Sequence, residues 1–170
     1  MKVFGIIGWK NSGKTTLISK IISELSERNF SVATIKHAHH EFDIDHPGKD
    51  SFQHRQAGAN QVLVASHRRW ALMHEIEDNE KEPSLACLLS KLDPVDIVIV
   101  EGFKLSDHPK LVVVRQQNNL EPLPDQAQPI VAIATDAQIN KQDYNCNGPV
   151  FSLGDVSSIC DFILDNAQHE

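Results

Sequence analysis

Residues 8–16, GWKNSGKTT, place two glycines, two lysines and two threonines between an apolar run and a helix-like pattern. The preceding run, residues 3–7, is typical of a short strand, and apolar residues recur at helical spacing over residues 17–25. Residues 8–15 fit the pattern G-x-x-x-x-G-K-[ST], whose backbone N–H groups surround phosphate oxygens. Lys14 is expected to reach the outer phosphates and the Thr15 hydroxyl to meet Mg²⁺, while the helix that begins near Thr15 points its positive end at the same anion. The sequence therefore predicts a strand, a polyphosphate-binding loop and a helix in succession.

Length and charge limit what can surround this loop. A chain of 170 residues, 41% of them hydrophobic, is long enough for one domain with a good core and too short for two comfortable ones. We therefore predict a single nucleotide-binding domain over residues 1–170. A net charge of −7 without a basic stripe argues against a nucleic-acid partner. Three widely spaced cysteines favour a reducing cytoplasm, and the apolar runs are too short for a signal peptide or a membrane span.

Strand and helix patterns alternate along the rest of the chain, which predicts βαβ units. The further predicted strands cover residues 32–35, 97–100, 111–114, 130–134 and 150–152, and the predicted helices cover residues 51–56, 85–92 and 156–164. Residues 62–65 and 70–73 are apolar runs on either side of the turn sequence SHRR, which favours a hairpin inserted around residues 60–76. The predicted fold is α/β, with a mostly parallel sheet, flanking helices and an added β-hairpin.

Residues that end the strands are candidates for the site, because ligands of an open parallel sheet bind at the carboxyl ends of its strands. Glu101 ends one strand, and Asp96 begins it roughly 16 Å away at about 3.3 Å per residue, so the two acids do not serve one Mg²⁺. We assign Glu101 to the metal or its water and treat Asp96 as solvated; the alternative for Glu101 is a surface acid in a turn. Two further pairs end strands at this edge: Lys36 with His37 as candidates for phosphate, and Thr135 with Asp136 as candidates for the nucleobase.

Residues 36–51, KHAHHEFDIDHPGKDS, concentrate histidines and carboxylates in one loop. A transition-metal site is one interpretation, but it lacks the cysteines and closed ligand spacing of a structural zinc site. A switch-like loop beside the triphosphate is the other, with Asp50 on the Mg²⁺ side and Lys36 or Lys49 answering negative charge. Asp43 and His46 also fit a plain solvated loop. The predicted catalytic residues are thus Lys14, Glu101 and Asp50, and the predicted metal contacts are Thr15, Glu101 and Asp50.

Several blocks, taken in order, resemble one family. They are residues 8–15, residues 35–66, the RWALM run of residues 69–73, DIVIVEGFK of residues 96–104 and AIATD of residues 132–136. Together they resemble the adapter proteins of molybdopterin-guanine dinucleotide biosynthesis, the MobB family. Nearly the whole chain takes part, so the resemblance is more specific than the phosphate loop alone. By resemblance, the nucleotide-binding residues are Gly8, Lys10, Asn11, Ser12, Gly13, Lys14, Thr15 and Thr16, and the acidic strand end is Glu101.

The resemblance implies a P-loop GTPase-like fold, a homodimer, and binding of GTP with Mg²⁺ followed by slow hydrolysis. It also implies partnership with the molybdenum cofactor guanylyltransferase, which joins GMP to molybdopterin, and with other molybdenum-cofactor enzymes. The chain has no N-K-x-D motif for reading guanine, and Thr135–Asp136 matches only its ending. Two alternatives are an ATP-dependent kinase or ligase of the dethiobiotin-synthetase type, in which Lys14 and Lys36 neutralise phosphate, and a metal-insertion GTPase.

The hairpin turn suggests a second ligand. Arg68 or Arg69 offers a bidentate fork for the phosphate of molybdopterin, and Trp70 offers a stacking face for its ring. The alternative is a charged turn with Trp70 packed beneath it, since tryptophan after a turn usually packs. The apolar segments at residues 62–65, 70–73 and 111–114 also favour a homodimer, because they would leave exposed strand edges on a lone domain.

Overall fold

The computed structural model describes residues 1–38, 42–77, 80–116, 123 and 126–169. The chain divides into two compact units, a larger one of Met1–His37 with Leu85–Glu170 and a smaller one of Ala38–Ser84. The predicted hairpin insertion falls inside the smaller unit. One domain over residues 1–170 stays a prediction. None of the helices in the described ranges is long and apolar enough to cross a membrane.

A seven-stranded sheet forms the larger unit. Its strands are β1 (Lys2–Gly8), β2 (Val32–Lys36), β5 (Ile97–Glu101), β6 (Lys110–Val114), β7 (Ile130–Thr135), β8 (Val150–Ser152) and β9 (Gln168–His169). The order is β2-β5-β1-β6-β7-β8, and every pairing along it is parallel. The short β9 runs antiparallel to the start of β1. The prediction of a mostly parallel α/β sheet is therefore confirmed.

Alternate residues of the strands face opposite sides of the sheet, and each side has its own apolar cover. One side packs against α1 (Lys14–Glu27) and α4 (Val156–Asn166), through residues such as Phe4, Ile21 and Ile163. The other side is covered near β2 and β5 by α3 (Leu85–Leu89) and near β6 and β7 by a segment that includes Tyr144. The strands that carry the candidate site are thus fixed from both sides.

The smaller unit contains α2 (Asp50–Gln56) and an antiparallel hairpin of β3 (Gln61–Ala65) and β4 (Trp70–His74). Arg55 of α2 ties this unit together. Its guanidinium lies 2.8 Å from carboxylate oxygens of both Asp43 and Asp45 and 3.5 Å from Glu75, and it covers the ring of Phe52. A surface loop, a helix and the end of the hairpin are therefore joined by one side chain.

Most predicted elements occur within one or two residues of their expected ends, and the predicted hairpin is confirmed. The helix expected over residues 85–92 is shorter, ending at Leu89. A 3₁₀ turn at Lys141–Tyr144 and strand β9 were not predicted. Asp96 is exposed as expected, but it is not merely solvated, because its carboxylate accepts hydrogen bonds from the backbone N–H and the hydroxyl of Ser31. These bonds lower the pKa of Asp96.

Candidate nucleotide-binding site

The phosphate loop follows β1 directly, and its two glycines occupy positions that larger residues do not fit. A β-carbon at Gly8 would lie 2.5 Å from the carbonyl oxygen of Val113 on the neighbouring strand. Gly13 has a φ of 86°, in the left-handed region that favours glycine, and it caps the N-terminus of α1. Its carbonyl accepts the hydrogen bond from the N–H of Leu17. The loop is thus pressed against β6 while the start of α1 faces its interior, which is the arrangement that anions use.

Lys14 holds the two ends of this loop together. Its ammonium donates to the carbonyl oxygens of Gly8 and Trp9, at 3.1 and 2.6 Å, and lies 3.4 Å from the hydroxyl of Ser12. Burial lowers the pKa of Lys14, the nearby carboxylate of Glu101 opposes that shift, and the charges of Lys104 and Lys36 add to it. The charges of Lys36, Lys104 and Glu101 therefore all act on Lys14 at this edge of the sheet.

Glu101 ends β5, the strand that pairs with β1 on one side and β2 on the other. In register it lies beside Ile6 of β1 and Lys36 of β2. Its carboxylate is 3.5 Å from the ammonium of Lys36, and only 17% of its side chain is exposed. A largely buried acid between two strand ends differs from the alternative of a surface acid in a turn. Its placement next to the phosphate loop is the one that the strand pattern predicts.

The backbone turns sharply after Glu101. Gly102 and Phe103 both have positive φ, at 93° and 47°. A β-carbon at Gly102 would come within 2.8 Å of the β-carbon of His37, so glycine is required there. The ring of His37 stacks on Phe103 at 4.6 Å, and its backbone N–H donates to the carbonyl of Glu101. His37 thereby fixes the turn beside the site.

The predicted residues at the end of β7 lie on the other side of the loop. Thr135 is buried, and its hydroxyl accepts from the N–H of Ala137. Asp136 is half exposed; its carboxylate accepts from the N–H of Gln116 and lies 3.7 Å from Nε of Arg115. These contacts place both residues on the edge where a nucleobase was expected, and the contact to a base stays a prediction.

The larger unit therefore brings together most of the predicted site residues: Gly8, Lys10, Asn11, Ser12, Gly13, Lys14, Thr15, Thr16, Lys36, His37, Glu101, Thr135 and Asp136. Thr15 and Thr16 are exposed in the first turn of α1. Asp50 belongs to the smaller unit, as the first residue of α2, and its catalytic and metal roles stay predictions. His39 and His40 lie outside the described residues. Across the described ranges, no group of three or more His, Cys, Asp or Glu side chains is arranged to hold a metal ion.

Two cationic residues of the site were not predicted. Lys104 lies three residues beyond Glu101, with its ammonium 4.9 Å from the centre of the Trp9 ring. Arg115 follows β6, and its guanidinium packs against Gly13. The reasoning that selected Glu101, Lys36 and Asp136 as strand ends applies equally to Arg115. Lys104 had no such signal, because it lies inside a loop rather than at a strand end.

The order of the sheet places the phosphate loop, Glu101 and Asp136 on one edge. Comparison with known proteins shows which family has a sequence of this kind. Residues 3–136 match the family model described as molybdopterin guanine dinucleotide synthesis protein B, MobB. The chain belongs to this family. The match includes the loop, the smaller unit and the ends of β5, β6 and β7.

Individual MobB relatives agree over nearly the full chain. The molybdopterin-guanine dinucleotide biosynthesis adapter protein of Escherichia coli strain K12 is 38% identical, over 95% of this chain and 91% of its own length. The protein of the same name from Haemophilus influenzae is 37% identical, over 98% and 90%. The crystal structure of Bacillus subtilis MobB superposes with a TM-score of 0.73 at 26% identity, covering 100% of both chains.

Proposed function

We propose that this chain is a GTP-binding accessory protein of molybdenum cofactor biosynthesis. In this role it assists the guanylyltransferase that attaches GMP to molybdopterin, and it hydrolyses GTP slowly. The observation that carries the proposal is the loop of residues 8–15 closed around Lys14, beside a largely buried glutamate at a strand end. Family membership supports the pathway, as do the relatives, which are named adapter proteins of molybdopterin-guanine dinucleotide biosynthesis. They favour the adapter role over the kinase and metal-insertion alternatives.

The residues present fit a triphosphate. Gly8 has no space for a β-carbon and Gly13 has a positive φ, so the loop backbone is free to bring its N–H groups close to phosphate oxygens. Lys14, Lys36 and Lys104 supply positive charge in the same region, in a chain whose net charge is −7. An anion is therefore bound by local charge and preset donors, not by the overall field of the molecule.

The donor set also fits Mg²⁺, which prefers hydroxyl and carboxylate oxygens with several retained waters. We assign Thr15 and Glu101 to the metal or its water, with Asp50 as a further predicted contact. Mg²⁺ at such a site neutralises charge that develops on the phosphates. Within the chain, Lys14 binds the outer phosphates, Glu101 orients the metal or its water, and Lys36 holds the Glu101 carboxylate in place.

The test of this proposal begins with Lys14→Ala. Loss of the ammonium should reduce GTP affinity at least a hundredfold, because Lys14 neutralises the outer phosphates, while circular dichroism stays unchanged. Lys20→Ala, an exposed position of the same helix, is the matched control and should bind like the wild type. Wild-type affinity in a folded Lys14→Ala variant would contradict the phosphate-loop assignment.

Glu101→Gln separates binding from hydrolysis. The amide keeps the shape of the side chain but loses the charge that orders metal and water, so Mg²⁺-dependent turnover should fall while GTP binding remains. Steady-state phosphate release and equilibrium titration on the same preparation measure the two effects. An unchanged hydrolysis rate would show that the essential acid lies elsewhere.

Two observations are needed for the cellular role. Co-purification of the guanylyltransferase with the chain, together with the identity of the nucleotide carried along, would support the adapter assignment. A preparation that carries ATP and phosphorylates a small acceptor would instead support the kinase or ligase alternative.

A further inference from the structure

Arg115 lies between two parts of the candidate site, the phosphate loop and the end of β7. It follows β6, whose Val113 is in register with Gly8 at the end of β1. Its Nε and Cζ lie 3.3 and 3.4 Å from the point where a β-carbon of Gly13 would be, so the guanidinium rests directly on the loop. No predicted function accounts for this residue.

The other side of the guanidinium faces Asp136. Nε of Arg115 is 3.7 Å from Oδ2 of Asp136, and Oδ1 of the same carboxylate accepts the N–H of Gln116 at 3.0 Å. Val114 and Thr135 are in register on neighbouring strands. Arg115 and Asp136, the residues that follow them, therefore leave the sheet side by side. One oxygen of Asp136 therefore accepts a backbone hydrogen bond from the β6 side, and the other faces the charge of Arg115 at a distance beyond a hydrogen bond.

The surroundings of Arg115 are largely apolar, and the cavity beside it has room for little more than a water molecule. A small cavity beside the loop is lined by Arg115, Ser12, the β6 residues 112–114 and the rings of Trp9 and Tyr144. The valines and aromatic rings make this lining apolar, and the plane of an arginine can stack on an aromatic ring such as a nucleobase. Arg115, by contrast, is not among the charges that shift the pKa of Lys14, which are those of Glu101, Lys36 and Lys104.

We infer that Arg115 is a positioning residue for nucleobase recognition. It fixes the Asp136 carboxylate at a set distance from the phosphate loop, so that one nucleotide spans both. A carboxylate held in this way accepts the two adjacent donors of guanine, the ring N1–H and the 2-amino group, whereas hypoxanthine lacks the amino group and adenine presents an acceptor at N1. This inference rests on the GTP binding proposed above and names the residue pair that gives it specificity.

The experiment compares three ligands: GTP, ITP and inorganic tripolyphosphate. ITP lacks only the 2-amino group, and tripolyphosphate reports the phosphate loop alone. The wild type should bind GTP about tenfold or more tightly than ITP, in line with one charge-assisted hydrogen bond. Arg115→Ala should bring the two nucleotide affinities to within about threefold of each other and leave tripolyphosphate affinity within about twofold of the wild type.

Two further variants make the result specific. Asp136→Asn keeps the volume of the side chain and should reduce the preference for GTP over ITP as Arg115→Ala does. The double variant should be no worse than either single one, because both act on the same recognition step. Arg28→Ala, which removes an arginine of the same unit paired with Glu24 and Asp161, is the control and should leave all three affinities unchanged.

Each other outcome overturns the inference. Equal losses for GTP and tripolyphosphate would make Arg115 a phosphate ligand or a residue needed only for folding. An unchanged ratio of GTP to ITP affinity in Arg115→Ala, or no preference in the wild type, would remove it from base recognition. A wild type that binds neither nucleotide nor tripolyphosphate would refute the proposed function itself. That result differs from a wild type that binds GTP and an Arg115→Ala variant that behaves like it, which would refute this inference alone.

Discussion

Lys110 has no exposed surface, yet it carries a charge that the fold uses. Its ammonium donates to three backbone carbonyls, those of Ser106, His108 and Gln128, and thereby joins the loop after Glu101 to the segment before β7. Burial lowers the pKa of Lys110 to about 8, which still leaves it largely charged at neutral pH. The buried charge is thus retained because three acceptors compensate it.

Lys110→Met should destabilise the protein by about 3 kcal/mol or more. The substitution keeps most of the length of the side chain but leaves carbonyls without a donor, at roughly 1–3 kcal/mol each. Lys141→Met is the control, since Lys141 makes a single exposed bond to the carbonyl of Gly148 and should cost about 0.5 kcal/mol at most. Urea unfolding of the three proteins measures the difference. Equal midpoints would show that Lys110 contributes packing alone.

His108 should make stability depend on pH. It is buried against Gly5, and burial, aided by the charge of Lys110 and opposed by Asp107, lowers its pKa to about 4 from the usual 6.5. Between these values the unfolded chain binds a proton that the folded chain does not, so stability falls as pH drops from 6.5 towards 4, by up to about 3 kcal/mol. Replacing the titrating group in His108→Leu should flatten this part of the profile in urea titrations. An equal slope in both proteins would assign the loss to other groups.

At the scale of elements, the sequence patterns predicted the strands and helices that bury apolar side chains and missed a strand that is held by backbone pairing alone. Alternation and apolar runs predicted β5 and β6, because their residues are buried on both faces. Asp155 predicted the start of α4, where its carboxylate accepts the N–H of Ser158. Strand β9 consists of two exposed polar residues, Gln168 and His169, and its pairing with β1 leaves no apolar signal.

The candidate site was predictable to a similar degree. The loop motif identified Lys14 and Thr15, and the strand-end argument identified Glu101, because both follow from local sequence. Arg115 follows the end of β6, so the same strand-end argument could have selected it, but no local pattern specifies that it will rest on Gly13. Lys104 lies inside a loop and had no such signal. Asp50 lies in the smaller unit, so the local sequence around the phosphate loop does not indicate its role.

Binding of molybdopterin at the hairpin turn stays a prediction. The hydroxyl of Ser66 accepts from the N–H groups of Arg68 and Arg69, so the turn is ordered by its own side chain. Trp70 is 62% exposed and does not pack beneath the turn, contrary to the alternative interpretation. Both arginines are exposed as well.

Replacing Arg68 and Arg69 together by alanine should therefore weaken molybdopterin or guanylyltransferase association by roughly tenfold, since a bidentate fork would be lost. GTP affinity should stay the same, because the phosphate loop lies in the other unit. Binding titrations of the double variant with each ligand make the comparison. Unchanged affinities throughout would assign the turn to another interface or to the scaffold.

At the scale of the whole molecule, a second copy of the chain is the expected partner of the hairpin. Leu63, Trp70 and Leu72 share one face of β3 and β4 and are 61%, 62% and 44% exposed. A contiguous apolar face of this kind is rarely left in water, and within the described residues β3 and β4 pair only with each other. The expectation that residues 111–114 also leave an exposed edge is wrong, because β6 is buried between β1 and β7. We predict a homodimer that buries the hairpin face.

Sedimentation at micromolar concentration should give twice the chain mass for the wild type and one chain mass for Leu72→Glu, because a buried charge would oppose association. Leu105→Glu is the matched control, since Leu105 is 72% exposed in the larger unit and should leave the dimer intact. A monomeric wild type would contradict the prediction.

The central position of β1 has a consequence for synthesis on the ribosome. Lys2 pairs with Ile97, so the strand leaves the ribosome about 95 residues before its first neighbour in the sheet. At about 5–20 residues per second, that interval is roughly 5–20 seconds. During it, Phe4, Ile6 and Ile7 are without the sheet that buries them, and Gly8 is without the Val113 carbonyl that it packs against. The phosphate loop is therefore among the first parts to be translated, whereas the strands on both sides of β1 follow only with β5 and β6.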